Sequence, residues 1–168
     1  MPKTDIEFNP ADFVTIGTVG PKGRRLFHLQ AGSGNQLVTL IIEKEQARAL
    51  ADAIREMLSD LKNRYPDLPD TTVNLSQWDM SLRDPLDPLF RIAQMGLGYD
   101  EQQNMALLVA QELLVLEEGQ DPETADPQTV RIWVTLEQLR ALSEHALTIV
   151  KQGRADPKSN GHLIYYWT

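Results

Sequence analysis

Residues 129–150 read TVRIWVTLEQLRALSEHALTIV, and residues 38–58 read VTLIIEKEQARALADAIREML. With Val38 set on Val130 the two align without a gap and share six identities in 21 positions. Each opens on a β-branched run, passes through Glu-Gln, and continues as Arg-Ala-Leu inside an amphipathic stretch. β-Branched residues fit a pleated strand, and apolar residues three and four apart fit one face of a helix. The chain therefore carries a strand-to-helix unit twice.

The residues upstream extend each unit. FVTIGTV (13–19) reads as a strand, GPKG (20–23) as a turn, RRLFHLQA (24–31) as a second strand, GSGN (32–35) as another turn, and QLVTLII (36–42) as a third strand. Ala47, Leu50, Ala51, Ile54, Met57, Leu58 and Leu61 then place one apolar stripe on a helix ending near Arg64. In the second unit the strands are FRIAQMGLGY (90–99), NMALLVAQELLVL (104–116) and TVRIWVT (129–135). Thr135 with Gln138 fits a capping box at the start of the second helix, whose apolar face is Leu139, Leu142, Ala146, Ile149 and Val150. Gln30 and Gln111 fall near the same point of each middle strand. Short loops between consecutive strands imply antiparallel neighbours.

The expected fold is α+β: a duplicated β-β-β-α unit forming an antiparallel six-stranded sheet, or two facing sheets, covered by two helices. Residues 1–168 make a single domain, with pseudo-repeats at about 13–64 and 90–152. A Pro/Asp-rich connection, 65–89, joins them. Leu75, Trp78, Met80 and Leu82 give it apolar anchors, so it should wrap the body. The segment 154–168 ends in HLIYYWT, and exposing Ile164, Tyr165, Tyr166 and Trp167 to water would be costly. Docking on the same chain or on a second copy follows, which makes a homodimer or a protein partner possible.

Composition removes several function classes. With no cysteine there is no disulfide, thiolate metal site or cysteine nucleophile. A net charge of -8 disfavours nonspecific nucleic-acid binding. The N-terminal residues lack an apolar signal core, and no run is long enough to span a membrane, so a soluble cytoplasmic protein is expected.

At GTVGPKGRRLFHLQA, VTLIIEKEQARALADAI and FRIAQMGLGYD the chain resembles a bacterial family, domain of unknown function 3090, over about residues 13–153. The most specific pattern is G-T-V-G-x-x-G-x-R-x-F-x-L-Q-A, matched by Gly17, Thr18, Val19, Gly20, Gly23, Arg25, Phe27, Leu29, Gln30 and Ala31. Many members carry a cysteine-bearing, zinc-knuckle-like segment before a final Asn-Gly. Here Gly153-Arg154 runs to Asn160-Gly161 without cysteine, so the resemblance implies no zinc. It implies no activity either.

The candidate ligand residues are Lys22, Arg24, Arg25, His28 and Gln30 on the first hairpin, with Gln111. The cations suit an anion, and His28 shares its strand face with Leu26 and Gln30. The glycines of GTVGPKG precede a strand, unlike those of a phosphate loop, and read as hairpin geometry. No histidine pair has metal-ligand spacing, so no metal, cofactor or catalytic residue is assigned. The expected function is a noncatalytic binding or assembly module, using Ile164, Tyr165, Tyr166 and Trp167 as partner-binding residues. The alternative is an enzyme or sensor for a phosphorylated or anionic metabolite bound at the Lys22–His28 hairpin.

Overall fold

The computed structural model describes residues 5–21, 23–69, 71–115, 118–119, 121 and 126–152. Seven strands and two long helices follow in order: β1 (Asp5–Phe8), β2 (Phe13–Val19), β3 (Leu26–Ser33), β4 (Gln36–Ile42), α1 (Lys44–Arg64), β5 (Phe90–Asp100), β6 (Met105–Glu112), β7 (Thr129–Val134) and α2 (Leu136–Gln152). A single 3-10 turn at Leu75–Gln77 lies between α1 and β5. Among the described residues no helix is long and apolar enough to cross a membrane.

The strands form one sheet in the order β1-β7-β6-β5-β4-β3-β2. This corrects the expected six-stranded antiparallel sheet in two respects. There is an additional strand, β1, and two of the pairings, β1 with β7 and β4 with β5, are parallel. The physical reason lies in the connections. Parallel neighbours need a long crossover, and both α1 with residues 65–89 and the whole intervening chain from β1 to β7 supply one.

The two terminal strands of that order are consecutive in the chain. Ala11 donates its N–H to the Trp133 carbonyl (2.8 Å), and the next residue, Asp12, donates to Gly32 (2.7 Å). The connection between β1 and β2 is thus hydrogen-bonded to β7 on one side and to β3 on the other.

β1–β2 and β5 are paired with their neighbours in comparable ways. β1 starts parallel to β7, and the chain then bends into β2, antiparallel to β3. β5 starts parallel to β4 at Phe90 and Arg91, shifts register between Ile92 and Gln94, and continues antiparallel to β6. The helix starts match as well. Gln46 accepts from the Glu43 N–H (2.8 Å) and donates to the Ile92 carbonyl (3.1 Å) at the β5 irregularity. Gln138 accepts from the Thr135 N–H (2.8 Å), takes part in the capping box with Thr135, and donates to the Ala11 carbonyl (3.1 Å) at the β1–β2 bend. Each glutamine thus ties its helix to the first strand of the opposite half. The Arg91 guanidinium also donates to the Glu43 carboxylate.

One face of the sheet and the inner stripes of both helices share a core. Ile16, Leu29, Leu40, Leu108 and Ile132 meet Leu50, Ile54, Leu139 and Leu142 there, all buried. Burying each such side chain contributes roughly 1.5–3 kcal/mol relative to exposure. An exposed pair such as Asp60 with Arg64 contributes about 1 kcal/mol at most. Apolar packing on this inner face therefore holds the fold. Among the described residues, no ion pair joins Glu45 to Arg48 or Glu137 to Arg140.

Candidate functional site

The two halves differ on the outer face of the sheet. In β3 every residue from Phe27 to Gly32 is buried, whereas β6 alternates between buried and half-buried. Strands buried on both sides need cover on both sides. For β2–β4 the outer cover is the segment after α1.

That segment is fastened at several points. The Arg140 Nε of α2 donates to Thr71 (3.2 Å). Met80 is buried, and its carbonyl accepts from the Thr15 hydroxyl (2.7 Å). Gln30 meets Arg83 twice: its Oε1 accepts from the Arg83 N–H (2.7 Å), and its Nε2 donates to the Arg83 carbonyl (2.7 Å). The same Nε2 donates to the Thr39 hydroxyl (3.0 Å). The Arg83 guanidinium carbon stands 3.7 Å from the centroid of the Phe13 ring. Leu89 donates its N–H to the Thr39 carbonyl (2.8 Å) and leads the chain into β5. The strap is thus read by a polar row, Thr15, Gln30 and Thr39, that are direct neighbours across three strands.

Leu82 occupies a seat made by the absence of a side chain at Gly17. A Cβ there would fall 2.6 Å from Leu82 Cγ. Beside this seat a cleft of about 430 Å³ opens between β2, the strap and α2, lined in part by Trp78, Leu82, His145 and Ile149. Burial lowers the His145 pKa, opposed by a hydrogen bond to the Ile16 carbonyl. His28 lies opposite Gly17 on β3 and is buried, with no hydrogen-bond partner for Nδ1. Its pKa is lowered by desolvation, opposed in part by the nearby Leu26 backbone.

Registers locate the corresponding face of the second half. Counted from the Gln138 and Gln46 anchors, Gly98 stands to Ile92 as Gly17 stands to Ala11. Gly96 opposes Val109 and Val109 opposes Arg131, as Thr15, Gln30 and Thr39 do in the first half. Gly98, Leu107 and Trp133 correspond in the same way to Gly17, His28 and Ile41. Yet among the described residues a Cβ on Gly98 would meet nothing within 4 Å. Leu107, Val109, Arg131 and Trp133 are half-buried, and the Trp133 indole donates to Glu7 (2.8 Å). At the β6 end of this half Leu113, Leu114 and Val115 are exposed.

The residues singled out from sequence are dispersed. Lys22 lies outside the described residues. Arg24 is exposed and Arg25 half-buried near the β2–β3 turn, while His28 and Gln30 are buried farther along β3. Gln111 does not take the place of Gln30. It opposes Gln94 and Thr129, two residues farther along its strand than Val109. Ile164, Tyr165, Tyr166 and Trp167 lie outside the described residues.

A second cavity, of about 260 Å³, lies between the end of α1 and the start of α2. Lys62 and Arg140 line it, and among the described residues no carboxylate does; Asp70, between the lining residues Pro69 and Thr71, lies outside them. Among the described residues no group of three or more His, Cys, Asp or Glu is placed to hold a metal. Sequence reasoning did not single out Gly98, Trp133 or His145 as site residues. The spacing GTVG against GLGY, with a glycine near the end of the first strand of each half, was the available signal.

A family model described as "Protein of unknown function (DUF3090)" matches residues 6–159. No curated protein and no solved structure matches the chain.

Proposed function

The chain belongs to the DUF3090 family of proteins of unknown function, and on that footing we propose that it is a noncatalytic binding module built on a doubled β-β-β-α unit. Its working surface is the outer face of β5–β7, and its ligand is an extended peptide segment with alternating aromatic or aliphatic side chains. The observation that carries this reading is the contrast between two glycine seats. Leu82 fills the one at Gly17, and no described residue fills the one at Gly98. The strap on the outer face of β2–β4 supports the reading that the comparable face of β5–β7 takes a segment. Where the first half reads backbone with Gln30, the second presents Val109, beside Leu107 and Trp133. Such a floor favours apolar side chains over backbone hydrogen bonds.

Selection of phage-displayed peptides on the full chain tests this. Enriched peptides should carry alternating apolar residues and lose about tenfold or more in affinity against Gly98→Leu, about 1.4 kcal/mol. Peptides indifferent to Gly98→Leu would contradict it.

A second reading, binding of a small anionic metabolite, draws support from the cavity that Lys62 and Arg140 line together. Thermal stabilisation by inorganic phosphate, abolished by Arg140→Gln, would favour it.

A further inference from the structure

We propose that residues 153–168 of the same chain dock on the outer face of β5–β7, with an apolar side chain of 163–167 in the Gly98 seat. This rests on the reading of that face as a segment-binding surface, and it names the occupant.

The segment that follows α1 covers the outer face of β2–β4, the half that precedes it. The segment that follows α2 is 153–168, and the face in the corresponding position is that of β5–β7. α2 carries Arg140, which holds the strap at Thr71. Arg48 holds the aligned position in α1 and is half-buried.

The first face is polar at Thr15, Gln30 and Thr39, and it is met by backbone groups of Met80 and Arg83. The second offers Gly96, Val109 and Arg131, then Gly98, Leu107 and Trp133. Apart from Arg131 this floor is apolar, and with no side chain at Gly98 it suits apolar side chains, of which HLIYYWT supplies five consecutive large ones, Leu163 to Trp167. In an extended segment alternate residues face the same way, so such a run presents two or three of them to the sheet whichever register it takes. Aromatic rings bury the most area per residue and tolerate a half-buried position with the polar tip outward.

Leu82 follows the last residue of α1 by 82 − 64 = 18 residues. Leu163 follows the last residue of α2 by 163 − 152 = 11. Eleven extended residues span up to about 36 Å, more than the roughly 30 Å across a small domain. The run can therefore reach its own sheet without exchange between copies. A covalent tether also raises the local concentration to the millimolar range, so a modest intrinsic affinity suffices to fill the site.

Chymotrypsin cuts after Tyr165, Tyr166 and Trp167, so cleavage of the full chain reads the docking directly. Cleavage tracks the undocked population when docking is fast relative to cutting. Wild type should be cut about tenfold more slowly at 165–167 than Gly98→Leu, with both monomeric by light scattering across concentration. Val109→Glu, on the same floor, should release the segment equally and guards against a misfolded first variant. Equal cleavage rates in wild type and both folded variants would overturn the proposal. A wild-type dimer that Gly98→Leu turns into a monomer would overturn it too, by seating the segment on a second copy. Selected peptides that remain sensitive to Gly98→Leu while 165–167 is unprotected would overturn only the choice of occupant. Insensitivity of both would overturn the binding surface itself.

Discussion

Leu82 sits against the backbone of Gly17 so closely that a methyl group added there would lie 2.6 Å from its Cγ. Sixty-five residues of sequence separate the two, and this contact sets how deeply the strap lies on β2. Gly17→Ala should push the strap outward and cost about 1–3 kcal/mol, the range for overpacking a tight contact. Urea unfolding measures it. Adding Leu82→Ala to the glycine variant should return part of the loss, whereas strict additivity of the two substitutions would deny the contact its role.

Gln30 is the hinge of the polar row beneath the strap. Gln30→Leu removes both hydrogen bonds to Arg83 and the one to Thr39, leaving backbone groups of the strap unpaired under cover. The expected cost is about 1–3 kcal/mol. Gln111→Leu, at a half-buried position near the end of β6, should stay within about 0.5 kcal/mol of wild type. Equal effects at the two glutamines would contradict the assignment of Gln30, and not Gln111, as an anchor of the strap.

Much of this architecture was legible because period and punctuation agree locally. β2 to β7 and both helices follow from runs such as FVTIGTV and the stripe from Ala47 to Leu61, and the Thr135–Gln138 box formed as its spacing implied. β1 was not legible. DIEF is short, half polar, and pairs with β7 across more than a hundred residues, so no local signal marks it. The register of Gln111 was misread because the β5–β6 turn, 101–104, is two residues shorter than the β2–β3 turn, 20–25. Matching by distance along the sequence therefore slips by two. His28 and Gln30 read as an outward polar face, and only the strap, more than fifty residues away, makes that face an interior. The candidate site was hidden for the same reason. Gly98 gains meaning only beside Gly17 with Leu82 upon it.

His28 and His145 are both held below the ordinary imidazole pKa, burial being the larger cause in each. Their neutral forms are favoured in the folded state, so the unfolded chain binds more protons. The stability they contribute is present above the unfolded value of about 6.5 and is lost as pH falls through their lower folded values. Urea midpoints should therefore decline as pH drops below 6.5, before most carboxylates titrate. His28→Gln together with His145→Gln should flatten that decline. An unchanged slope in the double variant would remove the histidines from the account.

Nuclear Overhauser contacts in the full chain test the proposed docking of the segment 153–168 on the outer face of β5–β7 at Gly98. Ring protons of Tyr165, Tyr166 and Trp167 should show cross-peaks to the methyl groups of Leu107 and Val109, and Gly98→Leu should abolish them. Cross-peaks to Val19 and Leu26 at the opposite hairpin, or none to any methyl of the sheet, would contradict it.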